Sequence, residues 1–406
     1  MKFNQTGLSK VILKSVSELN YTDTTEIQSK AIPVVLDKRD IMGIAQTGTG
    51  KTAAFSLPII DMIHRNYNGR ARAGQPRALV LSPTRELAIQ IAQSLSAYAK
   101  YTQVSHTVIF GGVKQAKQVN ALSRGIDILV ATPGRLLDLI NQKIIDLSKV
   151  EFFVLDEADR MLDMGFIHDI RKVLNLLPVR RQTLFFSATM PDDIVKLSRS
   201  MLHKPVRVEA QVVSSSPEKI QQFKYYTNYM HKKDLLKYVL DKHDVGQALV
   251  FTRTKRRADQ ICKYLNKQGL QAMAIHGNKS QNQRQKALKE FKADRLQILV
   301  ATDIAARGID VKALKHVINF DIPNISETYV HRIGRSGRAG KEGVAISLCD
   351  IEENAYIKNI EKLTGKALSA VEDHPFVQDE SLKKDKSSSS IGFRGRARSS
   401  KRKKAS

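Results

Sequence analysis

Apolar positions in this chain gather into short, nearly unbroken runs instead of alternating with polar ones. In the first half the runs are Ile41-Met42-Gly43-Ile44-Ala45, Ala78-Leu79-Val80-Leu81, Thr107-Val108-Ile109-Phe110, Ile128-Leu129-Val130-Ala131, Phe152-Phe153-Val154-Leu155 and Leu184-Phe185-Phe186. In the second half they are Ala248-Leu249-Val250-Phe251, Ala272-Met273-Ala274-Ile275, Ile298-Leu299-Val300-Ala301 and Val317-Ile318-Asn319-Phe320. Runs of this length read as strands. Strands apolar on both faces belong in parallel sheets covered by helices. The pattern therefore predicts an α/β fold in two halves. Polar or glycine-bearing segments follow several of these runs, as befits sheets that bind ligands at the carboxyl ends of their strands. Val213-Ser214-Ser215-Ser216-Pro217, with its helix-breaking proline, reads as part of the linker. Beyond about residue 375 the apolar periodicity stops. Ser387 to Ser390, then Arg394, Arg396 and Arg398, then Lys401-Arg402-Lys403-Lys404, read as a disordered basic tail.

Composition narrows the class. A chain of 406 residues with 42% hydrophobic content can fill two cores and carry extensions. No apolar run approaches a membrane span, and the start shows no basic-then-apolar signal segment. Cys262 and Cys349 fit no metal-ligand spacing and form no disulfide framework. The expectation is a cytoplasmic protein with no membrane partner. A net charge of +26 points to a polyanionic partner.

The chemistry begins after the first run. Ala45-Gln46-Thr47-Gly48-Thr49-Gly50-Lys51-Thr52 precedes a helix-prone stretch. Gly48 and Gly50 would let backbone N–H groups turn onto phosphate oxygens at a helix N-terminus. Lys51 would neutralise the β- and γ-phosphates, and the Thr52 hydroxyl would ligate Mg²⁺. The strict phosphate-loop pattern is missed by one residue, since Ala45 stands where the first glycine belongs. The run ending at Leu155 leads into Asp156-Glu157-Ala158-Asp159. There Asp156 would hold Mg²⁺, and Glu157 would orient and deprotonate the attacking water. His331-Arg332-Ile333-Gly334-Arg335-Ser336-Gly337-Arg338 offers arginines from the far end of the folded chain. The second half has no glycine-rich phosphate loop of its own. The reading is an ATPase with one nucleotide site, completed when two halves meet.

This ordered set of segments resembles the DEAD-box ATP-dependent RNA helicases of superfamily 2, most of all the bacterial RhlE-type branch. The resemblance covers about residues 1–370. It rests on Phe3, Ile27-Gln28, the loop at 45–52, Pro83-Thr84-Arg85-Glu86-Leu87, Gly111-Gly112, Thr132-Pro133-Gly134-Arg135, Asp156 to Asp159 and Ser187-Ala188-Thr189. It continues with Gln281, Arg284, the stretch Ala301 to Asp310 and the arginine segment 331–338. It implies two tandem RecA-like domains, each a parallel sheet covered by helices. The implied division is 1–30 as a Q-motif region, 31–210 as the ATP-binding domain, 211–217 as linker, 218–375 as the C-terminal helicase domain and 376–406 as the tail. Asn20 and Thr24-Thr25 depart from the glycine and Pro-Thr usual before the glutamine, which puts adenine selectivity in question.

Residue roles follow from the resemblance. Phe3 and Gln28 would read adenine, and Asp310 would join the nucleotide contacts. Pro83, Thr84, Arg85, Gly111, Gly112, Thr132, Pro133, Gly134 and Arg135 would hold RNA from the first domain; Arg284, Thr302 and Arg307 would do so from the second. Hydroxyls, arginines and backbone amides suit phosphate oxygens and read no base edge, so binding would be independent of sequence. Ser187, Thr189, Asp159, His331 and Arg332 would couple the site to domain closure. Arg335 and Arg338 would meet the γ-phosphate. The implied protein is a monomer that takes ATP and Mg²⁺ and locally separates RNA strands, in the context of ribosomal precursors or RNA decay. Two rival classes are a DNA-directed motor and an RNA clamp that does not turn over ATP.

Overall fold

The apolar runs become strands of two parallel sheets in the computed structural model, which describes residues 1–46, 48–210, 220–306, 314–337 and 342–379. The first sheet contains β1 (Ile41–Ile44), β2 (Ala78–Leu81), β3 (His106–Ile109), β4 (Ile128–Ala131), β5 (Phe152–Leu155), β6 (Gln182–Ser187) and β7 (Val206–Glu209). The second contains β8 (Ile220–Tyr226), β9 (Ala248–Thr252), β10 (Ala272–Ile275), β11 (Ile298–Thr302), β12 (His316–Asn319), β13 (Gly343–Cys349) and β14 (Ser369–Ala370). The orders are β3-β4-β2-β5-β6-β1-β7 and β10-β11-β9-β12-β13-β8-β14. Adding seven to each strand of the first order gives the second, so one topology is used twice. Every described strand pairing is parallel.

Alternate residues of each central strand feed opposite faces, as the pleat requires. On β5, Phe152 and Val154 join one core, while Phe153 and Leu155 join the other. On β6, Leu184 and Phe186 face the first core and Phe185 the second. Both faces carry helices, and this is why the strands read as continuous apolar runs. The second sheet repeats the arrangement, with Val250 and Ile318 on one side and Leu249 and Val317 on the other. Each such side chain contributes roughly 1.5–3 kcal/mol through burial. The cores hold the strand ends, and therefore the site segments, in fixed register.

The chain's first residues pack into the first core. Phe3, Ile12, Val16 and Ile27 share a cluster with Phe55 and Phe186, and the helix Glu26–Leu36 runs across the expected boundary at residue 30. Strand β3 begins and ends one residue earlier than the apolar run 107–110. Gln118 takes both backbone groups of Phe110, at 3.2 and 3.1 Å, and so removes it from the ladder. At the other end the folded chain passes residue 375. Phe376 packs against the second core, and Gln378 and Asp379 bond to Thr227 and Asn228. The linker 211–217 and tail residues 380–406 lie outside the described residues. No described helix is long and apolar enough to cross a membrane.

Candidate nucleotide site and nucleic-acid track

Strand β1 is paired on both sides, with β6 and β7, and its carboxyl end releases the glycine-rich loop onto the helix Lys51–Arg65. Gly50 caps that helix in the left-handed region, φ 94°, which glycine adopts without penalty. A Cβ there would lie 2.4 Å from Gln28 Nε2 and 3.0 Å from Thr25 Oγ1, so the position is also closed sterically. Gly48 has φ 90°, and Thr49 Oγ1 donates to Gln46 O at 2.8 Å. Thr47 lies outside the described residues. Lys51 is buried, and its Nζ donates to Ala45 O at 3.0 Å. Thr52 is half-buried on the first turn of the helix. The loop thus offers a helix N-terminus, one lysine and a hydroxyl on one side of the sheet edge, the inventory of a triphosphate cradle.

Strand β5 brings the acidic segment to the same edge. Asp156 Oδ1 is buried, accepts no hydrogen bond, and stands 4.0 Å from Lys51 Nζ. Burial, reinforced by the charge of Glu157 and opposed by Lys51, pushes the Asp156 carboxyl up to about 6. A buried carboxylate oxygen without a hydrogen bond beside a hydroxyl-bearing loop fits a Mg²⁺ ion that keeps few protein ligands. Among the described residues no cluster of three or more His, Cys, Asp or Glu could hold a metal by itself. Glu157 is buried with left-handed backbone, φ 54° and ψ 52°. Its Oε2 accepts from Arg160 Nη1 at 2.6 Å. Arg160, three residues on, was not singled out from the sequence.

Asp159 ties this segment to the end of β6. Its Oδ2 accepts from Ala188 N, Thr189 N and Thr189 Oγ1 at 3.2, 2.9 and 2.9 Å. Ser187 Oγ receives Asp159 N at 3.2 Å and donates to Thr189 O at 2.7 Å. The structure therefore brings Asp159, Ser187 and Thr189 into one network. On the other side of the loop, Gln28 accepts from Thr25 N at 2.9 Å and donates to Gly50 O at 3.2 Å. Phe3 is buried, its ring stacked on Tyr21 with centroids 6.2 Å apart.

A second constellation spans both halves. Thr84 caps the helix Arg85–Tyr98 by accepting from Leu87 N at 3.2 Å. Thr132 starts the helix Pro133–Asn141 without a side-chain cap bond. Arg85 lies against Gly111 and Gly112, and Arg135 bonds Gln118 and Val113 O, each at 3.2 Å. Pro83 is buried, and Gly134 is exposed with no atom within 4 Å of its Cβ direction. From the second half, Arg284 pairs with Glu86 at 2.8 Å, and Gln281 Nε2 donates to Glu86 at 3.1 Å. The Arg85 guanidinium titrates below its usual range, chiefly through burial and then through repulsion by Arg284 and Arg135, with Glu86 opposing. Arg85 and Arg284 thus meet beside Glu86, with Arg135 near enough to repel Arg85. Glu86, like Arg160, has a part that the sequence does not mark; a first-turn acid reads as an ordinary complement to the helix dipole. Thr302 is buried at the end of β11. Arg307 and Asp310 lie outside the described residues.

Arg332 is almost wholly buried and makes four bonds inside the second half. It clasps Asp303 at 2.6 and 2.8 Å and reaches Asn319 Oδ1 and Asp321 O at 3.1 and 2.7 Å. His331, Arg332 and Arg335 line a small cavity that Arg160 of the first half also lines. Arg338 lies outside the described residues. The second half's counterpart of Lys51 is Lys232, which likewise begins the helix after the first strand of its sheet. Lys232 is fully buried, and its Nζ bonds Phe320 O at 3.0 Å, Asp350 at 3.3 Å and the Glu353 carboxylate. Glu353 also accepts from Arg253 Nη2 and Ile322 N, both at 3.0 Å. Where the first half's lysine bonds a loop carbonyl and stands 4.0 Å from Asp156, the second half's is taken up by Glu353 and Asp350.

Residues 25–197 match the family described as DEAD/DEAH box helicase, and residues 231–340 match the helicase conserved C-terminal domain. The ATP-dependent RNA helicase CshA of Listeria monocytogenes is 43% identical over 371 residues, covering 91% of this chain and 70% of that protein. The DEAD-box ATP-dependent RNA helicase CshA of Geobacillus kaustophilus is 42% identical over 380 residues, covering 94% and 80%. Among solved structures, S. cerevisiae Dbp5 bound to RNA and ADP BeF3 aligns with a TM-score of 0.79 at 31% identity, over 91% of this chain and 95% of that one. These relatives carry the name CshA and do not single out the RhlE-type branch. With both helicase halves matched and these relatives covered over most of their length, the chain belongs to the DEAD-box family of ATP-dependent RNA helicases.

Proposed function

We propose that this helicase separates short RNA duplexes locally, by closing its two domains on one strand and on ATP, and reopening after hydrolysis. The observation that carries the reading is the placement of Lys51, Asp156 and Glu157 at one sheet edge, with Glu157's partner Arg160 sharing a cavity with Arg335 of the other domain. The working division is 1–30, 31–210, 211–217, 218–375 and 376–406, with the fold continuing to Asp379. Gln28 would report the adenine to the loop through Gly50. Backbone N–H groups and Lys51 would hold the triphosphate. Thr52 and Asp156 would hold Mg²⁺, whose charge offsets that of the phosphate oxygens. Glu157 would take a proton from the attacking water as its oxygen bonds the γ-phosphorus. The bond from that phosphorus to the bridging oxygen breaks, and ADP leaves with the electron pair. Arg335, with Arg338, would stabilise the charge that develops.

Arg85, Arg135 and Arg284 with the nearby glycines and threonines would form a backbone-reading RNA track. Contacts of that kind fix position without choosing sequence. Dbp5 bound to RNA and ADP BeF3 supports this reading by similarity. The working reading is a cytoplasmic monomer acting on ribosomal precursors or on RNA undergoing decay; the charge of +26 supports the polyanionic partner in it. The test is ATP turnover with and without single-stranded RNA, alongside separation of a short RNA duplex. Wild-type protein should be stimulated by RNA and far less by DNA. Lys51→Ala should lose both turnover and strand separation, because the loop loses its cation. Strand separation that persists in Lys51→Ala would favour the passive clamp. Equal stimulation by DNA would favour a DNA-directed motor.

A further inference from the structure

Arg160 belongs to the first domain but stands at the meeting of both. It sits on the first turn of the helix Ala158–Asp163, and its Nη1 donates to Glu157 Oε2 at 2.6 Å. Both partners are largely shielded, with side chains 11% and 4% exposed, so the pair is little screened by solvent. Arg160 also lines the cavity whose other walls include Phe251, Asp303, His331, Arg332 and Arg335 of the second domain. There Asp303 is clasped by Arg332 through two hydrogen bonds, which fixes that wall of the cavity. Glu157 itself holds a left-handed backbone, which a non-glycine residue keeps only when its surroundings over-determine it. A buried ion pair at i and i+3 supplies such a constraint at the side-chain end.

We propose that Arg160 is a positioning residue for hydrolysis, fixing the Glu157 carboxylate and carrying the approach of the second domain to it. The proposal rests on Glu157 being the base. In this arrangement the second domain acts twice on the reaction. Arg335 acts on the phosphate side, and the wall of cationic and apolar groups holds Arg160 against Glu157. A base misplaced by about 1 Å loses up to about a hundredfold in rate.

The test uses the full chain with Arg160→Ala and Arg160→Lys, and Glu157→Gln in parallel. ATP turnover is measured against ATP and RNA concentration. RNA affinity is measured in the presence of ADP–beryllium fluoride as a probe of domain closure. Arg160→Ala should lower RNA-stimulated kcat by about ten- to a hundredfold, with KM for ATP and closed-state RNA affinity each changed by less than about threefold. Arg160→Lys, which keeps the charge, should recover part of the loss. An unchanged kcat in Arg160→Ala beside an inactive Glu157→Gln would overturn the role of Arg160 alone. Loss of closed-state RNA affinity in step with kcat would overturn it too, since Arg160 would then only brace the interface. Near-normal turnover of Glu157→Gln would instead overturn the base on which the proposal stands.

Discussion

Replacing Gly112 by alanine isolates the RNA track from the nucleotide site. Gly112 has φ 79°, and a Cβ there would fall 2.1 Å from Arg85 Nη1 and 2.5 Å from its Cζ and Nη2. Forcing an L-residue into that region costs about 1–2 kcal/mol, which a domain with ordinary stability survives. The clash is with the tip of a flexible side chain, so the guanidinium of Arg85 moves and the backbone stays. One charge-assisted phosphate contact is worth about 1.5–3 kcal/mol. Single-stranded RNA should therefore bind at least about tenfold more weakly, and the log–log salt slope should fall by about 0.7. ATP affinity should not change. Gly112 follows β3, and the phosphate loop follows β1, five strands across the sheet. At about 4.8 Å per strand that separation is roughly 24 Å. Fluorescence anisotropy of a labelled oligonucleotide across a salt series measures the affinity and slope, and nucleotide competition measures the other site. Arg85→Ala should mimic the change, and the double variant should bind no worse than Arg85→Ala, since both act on one contact. Unchanged RNA affinity in Gly112→Ala, or additive losses in the double variant, would show that Gly112 does not act through Arg85.

Lys232→Met should destabilise the second domain by up to about 3–5 kcal/mol, because it removes the buried cation from Glu353 and Asp350 and leaves Glu353 only the half-exposed Arg253. Amide exchange in peptides spanning β12 and β13 should then quicken roughly a hundredfold or more. The penalty should shrink at acid pH. Burial already raises the Glu353 carboxyl above its ordinary value while Lys232 pulls it down, so losing Lys232 raises it further and lets it bind a proton when folded. A group raised in this way makes stability fall as pH climbs from its unfolded value through its folded one, so the variant should differ least from wild type at or below the ordinary carboxyl range and most near neutrality. Deleting residues 381–406 should lower the salt slope of RNA binding by several units, at about 0.7 per phosphate contact, while leaving maximal turnover at saturating RNA nearly unchanged.

Much of this architecture could be read directly from the chain because both sheets are covered on both faces. Runs such as Phe152 to Leu155 and Ile298 to Ala301 have no polar member to confuse them. The strands that escaped the reading lie toward one side of each sheet. Strand β7, at an edge, is half-polar, Val-Arg-Val-Glu, because one face is open. Strand β8 contains Gln221, Gln222 and Lys224, and its pattern resembles a surface segment although Tyr225 is fully buried. Strand β13 opens on glycine and contains Ser347, and β14 has only two residues. The site shows the same division. Local spacing points to Lys51, Asp156 and Glu157 as candidates, since loop and strand end are each continuous in sequence, and the fold brings them to one sheet edge. Glu86 and Arg160 gain their meaning from partners far along the chain or across the cavity, Arg284 in one case and the second domain's arginines in the other. A charged residue in a helix's first turn carries no sequence mark of such a partner. Arg332, expected as a coupling residue, shows the same dependence on distant partners: its donors are taken by Asp303, Asn319 and Asp321.

In the proposed mechanism the hydrolytic site is shared between the two domains. The most direct measurement is RNA-stimulated ATP turnover by the full chain carrying Arg335→Ala, with nucleotide affinity measured on the same protein without RNA. A composite site predicts that nucleotide affinity stays within about twofold of wild type, while RNA-stimulated turnover collapses by as much as the 10³–10⁵ that a supplied arginine is worth in comparable phosphoryl-transfer enzymes. Turnover that remains within a few-fold of wild type would contradict it, and would place the whole of catalysis in the first domain.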